Sequence, residues 1–324
     1  MRTLITGGAG FIGSHLCEQL IGLGEEVLVL DDLSTGRYEN IAHLEKEKLQ
    51  FILGSVNNTD LVAECIRQCD QVMHLASAVG VRLIIDQPVK TIETIVGGTD
   101  VILRACARYR RPILLTSTSE VYGKSEKVPF REEDDRVMGS TTQRRWSYAC
   151  AKALDEFLAL AHHYEYRLPV VIVRLFNTVG PRQTGQYGMV VPRFVRQGLR
   201  GEPITVYSDG KQTRCFVHVR DVVEALPKLL AMPEARGQIY NVGSTEEVTI
   251  GELAQRVQKA TGGRSKIVNI PYEEAYLEGF DDMRRRLPDL TKVHKAIGYA
   301  PKRNLDDILR DVIAEFGRSE KRNG

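Results

Sequence analysis

Residues 3–16 read TLITGGAGFIGSHL: a short apolar run, a cluster of glycines, then the start of an amphipathic pattern. The first four residues fit a buried strand, the glycines break it, and the residues from Phe11 onward fit a helix. Gly8, Gly10 and Gly13 satisfy G-x-G-x-x-G, while Gly7, Gly10 and Gly13 satisfy the wider G-x-x-G-x-x-G. Such a turn needs glycine because the chain reverses sharply and a pyrophosphate must approach backbone N–H groups at a helix N-terminus. The last glycine lets helix and strand pack closely. A glycine turn alone is weak evidence. It gains strength from the next strand, EVLVLDD (residues 26–32), which ends in Asp31, 18 residues past Gly13. That is near the spacing at which an acid accepts hydrogen bonds from the adenosine ribose. A carboxylate there repels a 2′-phosphate, so NAD is expected over NADP, with Arg37 in STGR arguing the other way. The competing reading of Asp31 is a strand-end aspartate that caps a turn.

The same rhythm continues from residue 2 to 175. TLIT, EVLVLD, LQFILG, QVMHLAS, PILLTST and PVVIVRLF are apolar runs, with amphipathic stretches between most of them. Continuous apolar strands separated by helices predict an α/β fold, a Rossmann-type doubly wound parallel sheet covered on both faces. After about residue 176 the strands shorten and Gly, Pro and Arg become more frequent. The expected division is a dinucleotide-binding domain over 1–176 and a smaller α/β substrate domain over 177–324, leaning over the carboxyl edge of the sheet. The chain is expected to cross back near 215–243, through FVHVRDVVEAL and QIYNVG.

At 324 residues, 43% hydrophobic and 27% charged, the chain can bury a substantial core. Its 44 basic and 42 acidic residues are spread evenly for a net charge of +2, which argues against a nucleic-acid tail or a membrane-binding arm. A small anionic ligand remains open. The N-terminus lacks a signal-like apolar region, and no run reaches the roughly 18 apolar residues of a membrane span, so a cytoplasmic protein is expected. Cys17, Cys65, Cys69, Cys106, Cys150 and Cys215 read as reduced core thiols. Cys65 and Cys69 lie one helical turn apart without a complementing pair, so no metal is expected. His162 and His163 read as solvated helix residues, and His74 in HLAS as a packed, hydrogen-bonded histidine.

The fifth strand, PILLTSTSEVYG, ends in Thr116, Ser117, Thr118, Ser119 and Glu120, at the edge where open α/β sheets bind ligands. Downstream, RRWSYACAK (residues 144–152) puts Tyr148 and Lys152 on one face of a helix beside Trp146, the single tryptophan. Alone, that pair occurs by chance in many helices. Taken with the glycine turn and Thr118 at the strand end, the chain resembles the extended short-chain dehydrogenase/reductase family over essentially its whole length. The resemblance implies that Tyr148 takes a proton from a sugar hydroxyl while hydride leaves for NAD, that Thr118 holds that hydroxyl, and that Lys152 binds the nicotinamide ribose. A free phenol with a pKa near 10 is a poor base, so the ammonium one turn away and the positive nicotinamide are expected to draw it down. The dinucleotide contacts implied are Gly7, Gly10, Phe11, Ile12, Gly13, Asp31, Asp32, Ser34, Gly36, Ser55, Val56, Leu75, Ala76, Ser77, Tyr148 and Lys152.

Other stretches look like sugar-nucleotide enzymes. RLFNTVGPRQ (174–183) and GMVVPRFVRQGLRGEPITVYSDGKQTRCFVHVRD (188–221) resemble their nucleotide-binding segments. The resemblance implies Asn177 on the diphosphate, Arg182 among the substrate contacts, Val191 and Tyr207 near the base, and Arg214 on a phosphate, where a bidentate cation suits. TSTSEVYG and DDMRRRLPD resemble UDP-glucuronate decarboxylases, which implies that Arg286, with Arg285 beside it, orients a carboxylate while Ser119 and Glu120 assist at C5. Oxidation at C4 makes a β-keto acid that loses CO2, and the resulting 4-keto pentose is then reduced. A 4-epimerase and a 4,6-dehydratase are the alternatives, and a sensing protein that binds without turnover is a third. One departure bears on all of them: where relatives often read N-x-x-G-T after TIET, this chain has Ile95. The resemblance also implies a homodimer through a four-helix contact that uses the Tyr148 helix.

Overall fold

The structure, a computed structural model, describes residues 1–77, 87–184, 189–271 and 283–323. Its first half alternates β1 (Arg2–Thr6), α1 (Phe11–Gly22), β2 (Glu26–Asp31), β3 (Leu49–Leu53), α2 (Thr59–Arg67) and β4 (Gln71–His74). α3 (Pro88–Ile92) runs through a π-helical turn at Glu93–Gly97 into α4 (Gly98–Tyr109), followed by β5 (Ile113–Thr118), α5 (Trp146–Tyr166) and β6 (Val170–Leu175). Then come β7 (Thr178–Val179), α6 (Val190–Arg200), β8 (Ile204–Tyr207), β9 (Thr213–Cys215), β10 (Val217–His218) and α7 (Val219–Ala231). The chain closes with β11 (Gln238–Val242), β12 (Glu247–Thr249), α8 (Ile250–Ala260), β13 (Ile267–Ile270), α9 (Thr291–Ile297) and α10 (Leu305–Asn323).

Every apolar run of the first half becomes a strand of one parallel sheet ordered β3-β2-β1-β4-β5-β6-β11. The strands are apolar on both sides because helices cover both sides. Leu16 and Leu20 of α1 and Val222 and Leu226 of α7 fill one face. Val62 and Ile66 of α2 and Ile102 and Leu103 of α4 fill the other. The strand order reverses between β1 and β4, which opens a crevice at their carboxyl ends, where the glycine turn and Ala76 meet.

The C-terminal half has its own core, with Val191 and Phe194 of α6 packed among Val206, Leu253, Val257, Ile308 and Leu309. In between, the chain returns to the sheet. α7 lies on the α1 side and β11 pairs with β6, from Gln238 opposite Val171 to Val242 opposite Leu175.

Two readings need correction here. His162 is buried rather than solvated, because it faces inward on α5. Cys150 is exposed while the other five cysteines are buried, and all six are free. His74 is packed: Nδ1 lies 2.7 Å from Thr6 Oγ1 and Nε2 lies 3.3 Å from Thr99 Oγ1. Burial lowers its pKa to about 3, so the ring is neutral at physiological pH. Among the described residues, no helix is long and apolar enough to cross a membrane, and no His, Cys, Asp and Glu cluster could hold a metal.

Candidate active site

A cavity of about 1140 Å³ runs from the glycine turn, past the ends of β4 and β5, into the C-terminal half. At its sheet end, Gly7 has φ +73°, and a Cβ there would lie 2.8 Å from the Ala76 backbone nitrogen. A Cβ on Gly13 would stand 2.1 Å from the Gly7 carbonyl oxygen. No side chain fits at either place, so backbone alone forms this wall. Gly10 precedes α1 without any side-chain cap, and Gly10, Phe11, Ile12 and Gly13 line the cavity with the first turn of that helix. A pyrophosphate fits such a cradle.

Asp31 also lines the cavity, yet both of its oxygens are already engaged. Ala9 N donates to Oδ2 at 2.9 Å and Leu33 N donates to Oδ1 at 2.8 Å. It therefore caps its turn and braces the glycine loop while presenting its remaining lone pairs, so the two readings of this residue coexist. Burial pushes its pKa up. Asp32, Ser34, Val56, Leu75, Ala76 and Ser77 line the same end, as does Arg37. Gly36 and Ser55 are not among the cavity-lining residues. Gly36 packs on the glycine loop, where a Cβ would lie 2.9 Å from the Ala9 carbonyl carbon, and Ser55 Oγ accepts from Asn57 N at 3.2 Å.

In the middle of the cavity, Thr118, Ser119, Glu120, Tyr148 and Lys152 converge. β5 delivers the first, a 3-10 turn at Ser119–Tyr122 the next two, and α5 the last two. Tyr148 is 7% exposed and Lys152 3%. Thr118 at the end of β5 favours the phenolate, and the protein's own groups around the ring act in both directions. The Lys152 ammonium donates to Asp155 Oδ2 at 2.9 Å, and that carboxylate offsets its charge. Burial pushes the Tyr148 pKa up, Glu120 adds to this, and Thr118 and Arg286 act against it. The departure noted in the sequence adds to the same effect. Ile95, in the π turn, is buried against Tyr148 and Ala151, so one flank of the phenol is apolar.

Arg286 is almost buried, and its Nη2 donates to Glu120 Oε1 at 3.4 Å. Opposite it stands a residue the sequence reading missed. Arg145, 3% exposed, donates from its own Nη2 to the same oxygen at 3.4 Å. Both arginines line the cavity. Their juxtaposition depends on long-range packing: Trp146 and Met283 pack together, Phe130 N donates to Leu287 O at 2.8 Å, and Asp289 N returns a bond to Phe130 O at 2.8 Å. Arg145 sits inside the quoted RRWSYACAK, yet only its burial separates it from a solvated charge. Asp155 was likewise missed, and its signal was the i, i+3 spacing to Lys152. Of DDMRRRLPD, the first two positions lie outside the described residues.

The far end of the cavity holds Asn177, Val191, Tyr207 and Arg214. Asn177 Nδ2 donates to Cys215 O at 3.2 Å, and the Arg193 guanidinium lies 3.8 Å over the Tyr207 ring. Arg182 lines the cavity too but is tied back to α1, donating to Ser14 Oγ at 3.2 Å and pairing with Glu18. Arg285 is not brought in. It is half exposed and forms a fork with Glu247, with Nε to Oε1 at 2.7 Å and Nη2 to Oε2 at 2.8 Å, and it is not among the cavity-lining residues. Of the pair, only Arg286 reaches the cavity, while Arg285 turns to Glu247.

The family described as GDP-mannose 4,6 dehydratase matches residues 4–312. The chain is 42% identical over 321 residues to a UDP-N-acetyl-alpha-D-glucosaminuronate decarboxylase of Bacillus cytotoxicus, covering 98% of each chain. It is 37% identical to UDP-glucuronic acid decarboxylase 1 of Arabidopsis thaliana, covering 98% of this chain and 70% of that one. Among solved structures, it is similar to DesIV, a dTDP-glucose 4,6-dehydratase from Streptomyces venezuelae with NAD bound. There the TM-score is 0.89 at 30% identity, over 99% of this chain and 98% of the other.

Proposed function

The chain belongs to the GDP-mannose 4,6-dehydratase family of extended short-chain dehydrogenase/reductases, and on that premise we propose that it is an NAD-dependent decarboxylase of a UDP-uronate sugar. The observation that carries this reading is the pair of buried arginines, Arg145 and Arg286, flanking Glu120 beside Tyr148 in one cavity. An epimerase has no use for a buried cation pair at the sugar, whereas a hexuronate brings a carboxylate that suits one. The full-length similarity to two uronate decarboxylases supports the same choice.

Gly7, Gly10 and Gly13 with α1 would hold the NAD pyrophosphate, Asp31 the adenosine ribose, and Lys152 the nicotinamide ribose. When bound, NAD supplies the acceptor for the C4 hydride and later returns it. Asn177 and Arg214 would hold the diphosphate, with Val191 and Tyr207 at the base. Thr118 orients the C4 hydroxyl and Tyr148 removes its proton. The C4 ketone makes the sugar a β-keto acid, so the bond from C5 to the carboxylate breaks, CO2 leaves, and its electron pair delocalises into the ketone. Arg286 and Arg145 orient the carboxylate before that step. Glu120 and Ser119 serve the proton delivered to C5, and Tyr148 returns its proton to the C4 oxygen.

The reading extends to assembly. Cys150, Leu154, Phe157, Ala161 and Tyr164 recur at three- and four-residue spacing on α5, with Leu154 50%, Phe157 58% and Tyr164 65% exposed. Such an apolar stripe on an enzyme helix suits a four-helix contact between two copies. Six free thiols suit a reducing cytoplasm.

The test is product identity. Purified protein with NAD is given UDP-glucuronate, its 2-acetamido analogue, UDP-glucose and a GDP-hexose, and the products are read by mass. Loss of CO2 from a uronate is the expected result. Loss of water, an isomer of unchanged mass, or binding without turnover would each replace the proposal with a dehydratase, an epimerase or a sensor.

A further inference from the structure

The carboxylate beneath Lys152 has no task in the chemistry above. Asp155 is fully buried one turn further along α5, and it accepts from the Lys152 ammonium at 2.9 Å. A buried ion pair is a poor device for stability alone, since well-packed apolar residues serve as well or better. The other oxygen of Asp155, Oδ1, is buried with no hydrogen-bond partner among the described residues. Thr99 at the start of α4 lies near enough to favour the charged carboxylate. The same threonine meets His74 Nε2 at 3.3 Å, and His74 Nδ1 meets Thr6 Oγ1 at 2.7 Å. Thr6 Oγ1 in turn accepts from Ala76 N at 3.2 Å. Lys152 and Asp155 thus pack beside Thr99, from which His74 and Thr6 lead to the ends of β1 and β4 where the glycine turn begins.

We propose that Asp155 is a positioning residue that fixes the Lys152 ammonium beside Tyr148 and the dinucleotide cradle, and thereby sets the pH range over which Tyr148 works as a base. One N–H of the ammonium is committed to Asp155, which leaves two donors for a ribose and stops a flexible four-carbon stem from swinging. The charge of Asp155 also opposes ionisation of the phenol one turn before Lys152. The charged groups acting on that phenol are Glu120 after β5, Asp155 on its own helix and Arg286 from the C-terminal segment, with Arg145 meeting Glu120 and Lys152 one helical turn along. His74 of β4 is neutral, and its Nε2 meets Thr99 of α4. Of these, Asp155 alone bonds directly to the lysine in the structure.

The proposal rests on Tyr148 and Lys152 being the reacting pair, so Y148F and the wild type are run beside the variants D155A, D155N and T99V in the full-length protein. NADH affinity, kcat, KM and the pH dependence of kcat/KM are measured on the uronate that the wild type consumes. D155A is expected to lose about tenfold or more in kcat with KM within twofold, and to bind NADH more weakly. D155N keeps the volume and an acceptor oxygen but not the charge, so the phenol ionises more readily and the acid limb moves to lower pH, with much of kcat retained. T99V is expected to fall between them. Wild-type kcat, an unmoved acid limb and unchanged NADH affinity in both Asp155 variants would overturn the proposal, as would a lower Tm as the only change. Should D155A not fold, the same readouts on D155N and T99V decide. If Y148F turns over like the wild type, the reading of the pair is what fails, and the NADH affinities of the Asp155 variants still decide whether this carboxylate positions Lys152.

Discussion

Tyr148 is set by two opposing effects. At an effective dielectric of about 20, a lone ammonium at the roughly 5–6 Å typical of i, i+4 side chains would favour a phenolate by on the order of 3 kcal/mol, or about two pH units. The carboxylate of Asp155, 2.9 Å from that ammonium, opposes this, and burial of the ring pushes the phenol pKa in the same direction as Asp155. A base with a raised pKa loses activity as pH falls below that pKa, so kcat/KM should climb with pH on its acid side. Tyr148→Phe should lower kcat by on the order of 10²–10⁴-fold with NADH affinity nearly unchanged, as read by single-turnover kinetics and a binding titration. Ile95→Asn places an amide donor where an apolar side chain now packs against the ring. It should favour the phenolate and shift the acid limb down by about half a unit to one unit in a pH–rate profile. An unmoved limb would mean that the apolar flank does not govern the phenol.

The glycine turn joining β1 to α1 is an element that admits no adjustment, because the three atoms nearest the missing Cβ of Gly13 all belong to backbone, the Gly7 carbonyl oxygen at 2.1 Å, the Gly8 Cα at 2.8 Å and the Gly7 carbonyl carbon at 2.9 Å. Gly13→Ala should push the helix off the strand, weaken NAD binding by about 100-fold or more in a titration, and lower Tm by several degrees in a thermal melt. The same rigidity made the turn readable in advance, since a motif that excludes side chains leaves a trace in composition. The π turn at Glu93–Gly97 left none. Its apolar residues follow ordinary helical spacing, and the extra residue per turn that swings Ile95 onto Tyr148 shows only in the backbone.

For the molecule as a whole, the cavity is completed by segments far apart in the chain. Residues near 7, 31, 76, 118, 148, 214 and 286 meet because the strand order reverses at β1 and β4 and because β11 and α7 return to the sheet. The exposed stripe of α5 belongs to the helix that carries Tyr148 and Lys152, so the proposed assembly and the chemistry would share one support. Replacing Leu154 and Phe157 with Asp should convert the proposed homodimer to monomer in sedimentation velocity and lower kcat a few-fold, since charge on that stripe cannot be desolvated in a contact. A wild type that sediments as monomer would remove the dimer.

What could be read from the linear chain was whatever local sterics and periodicity impose. This covers the strands of the first half, the glycine cradle, the aspartate at the end of β2, and the spacing that puts Tyr148 and Lys152 on one helical face. The partners of those groups could not be read. Arg145 and Arg285 look alike as letters, yet one is buried against Glu120 and the other forks with Glu247 at the surface. His162 looked solvated and is buried, and the partner that holds Lys152, Asp155, could not be picked out in advance. Burial and pairing are properties of residues brought together from distant positions, and electrostatic energy depends on both. Packing therefore fixed the charges of the site, while the order of residues fixed its scaffold.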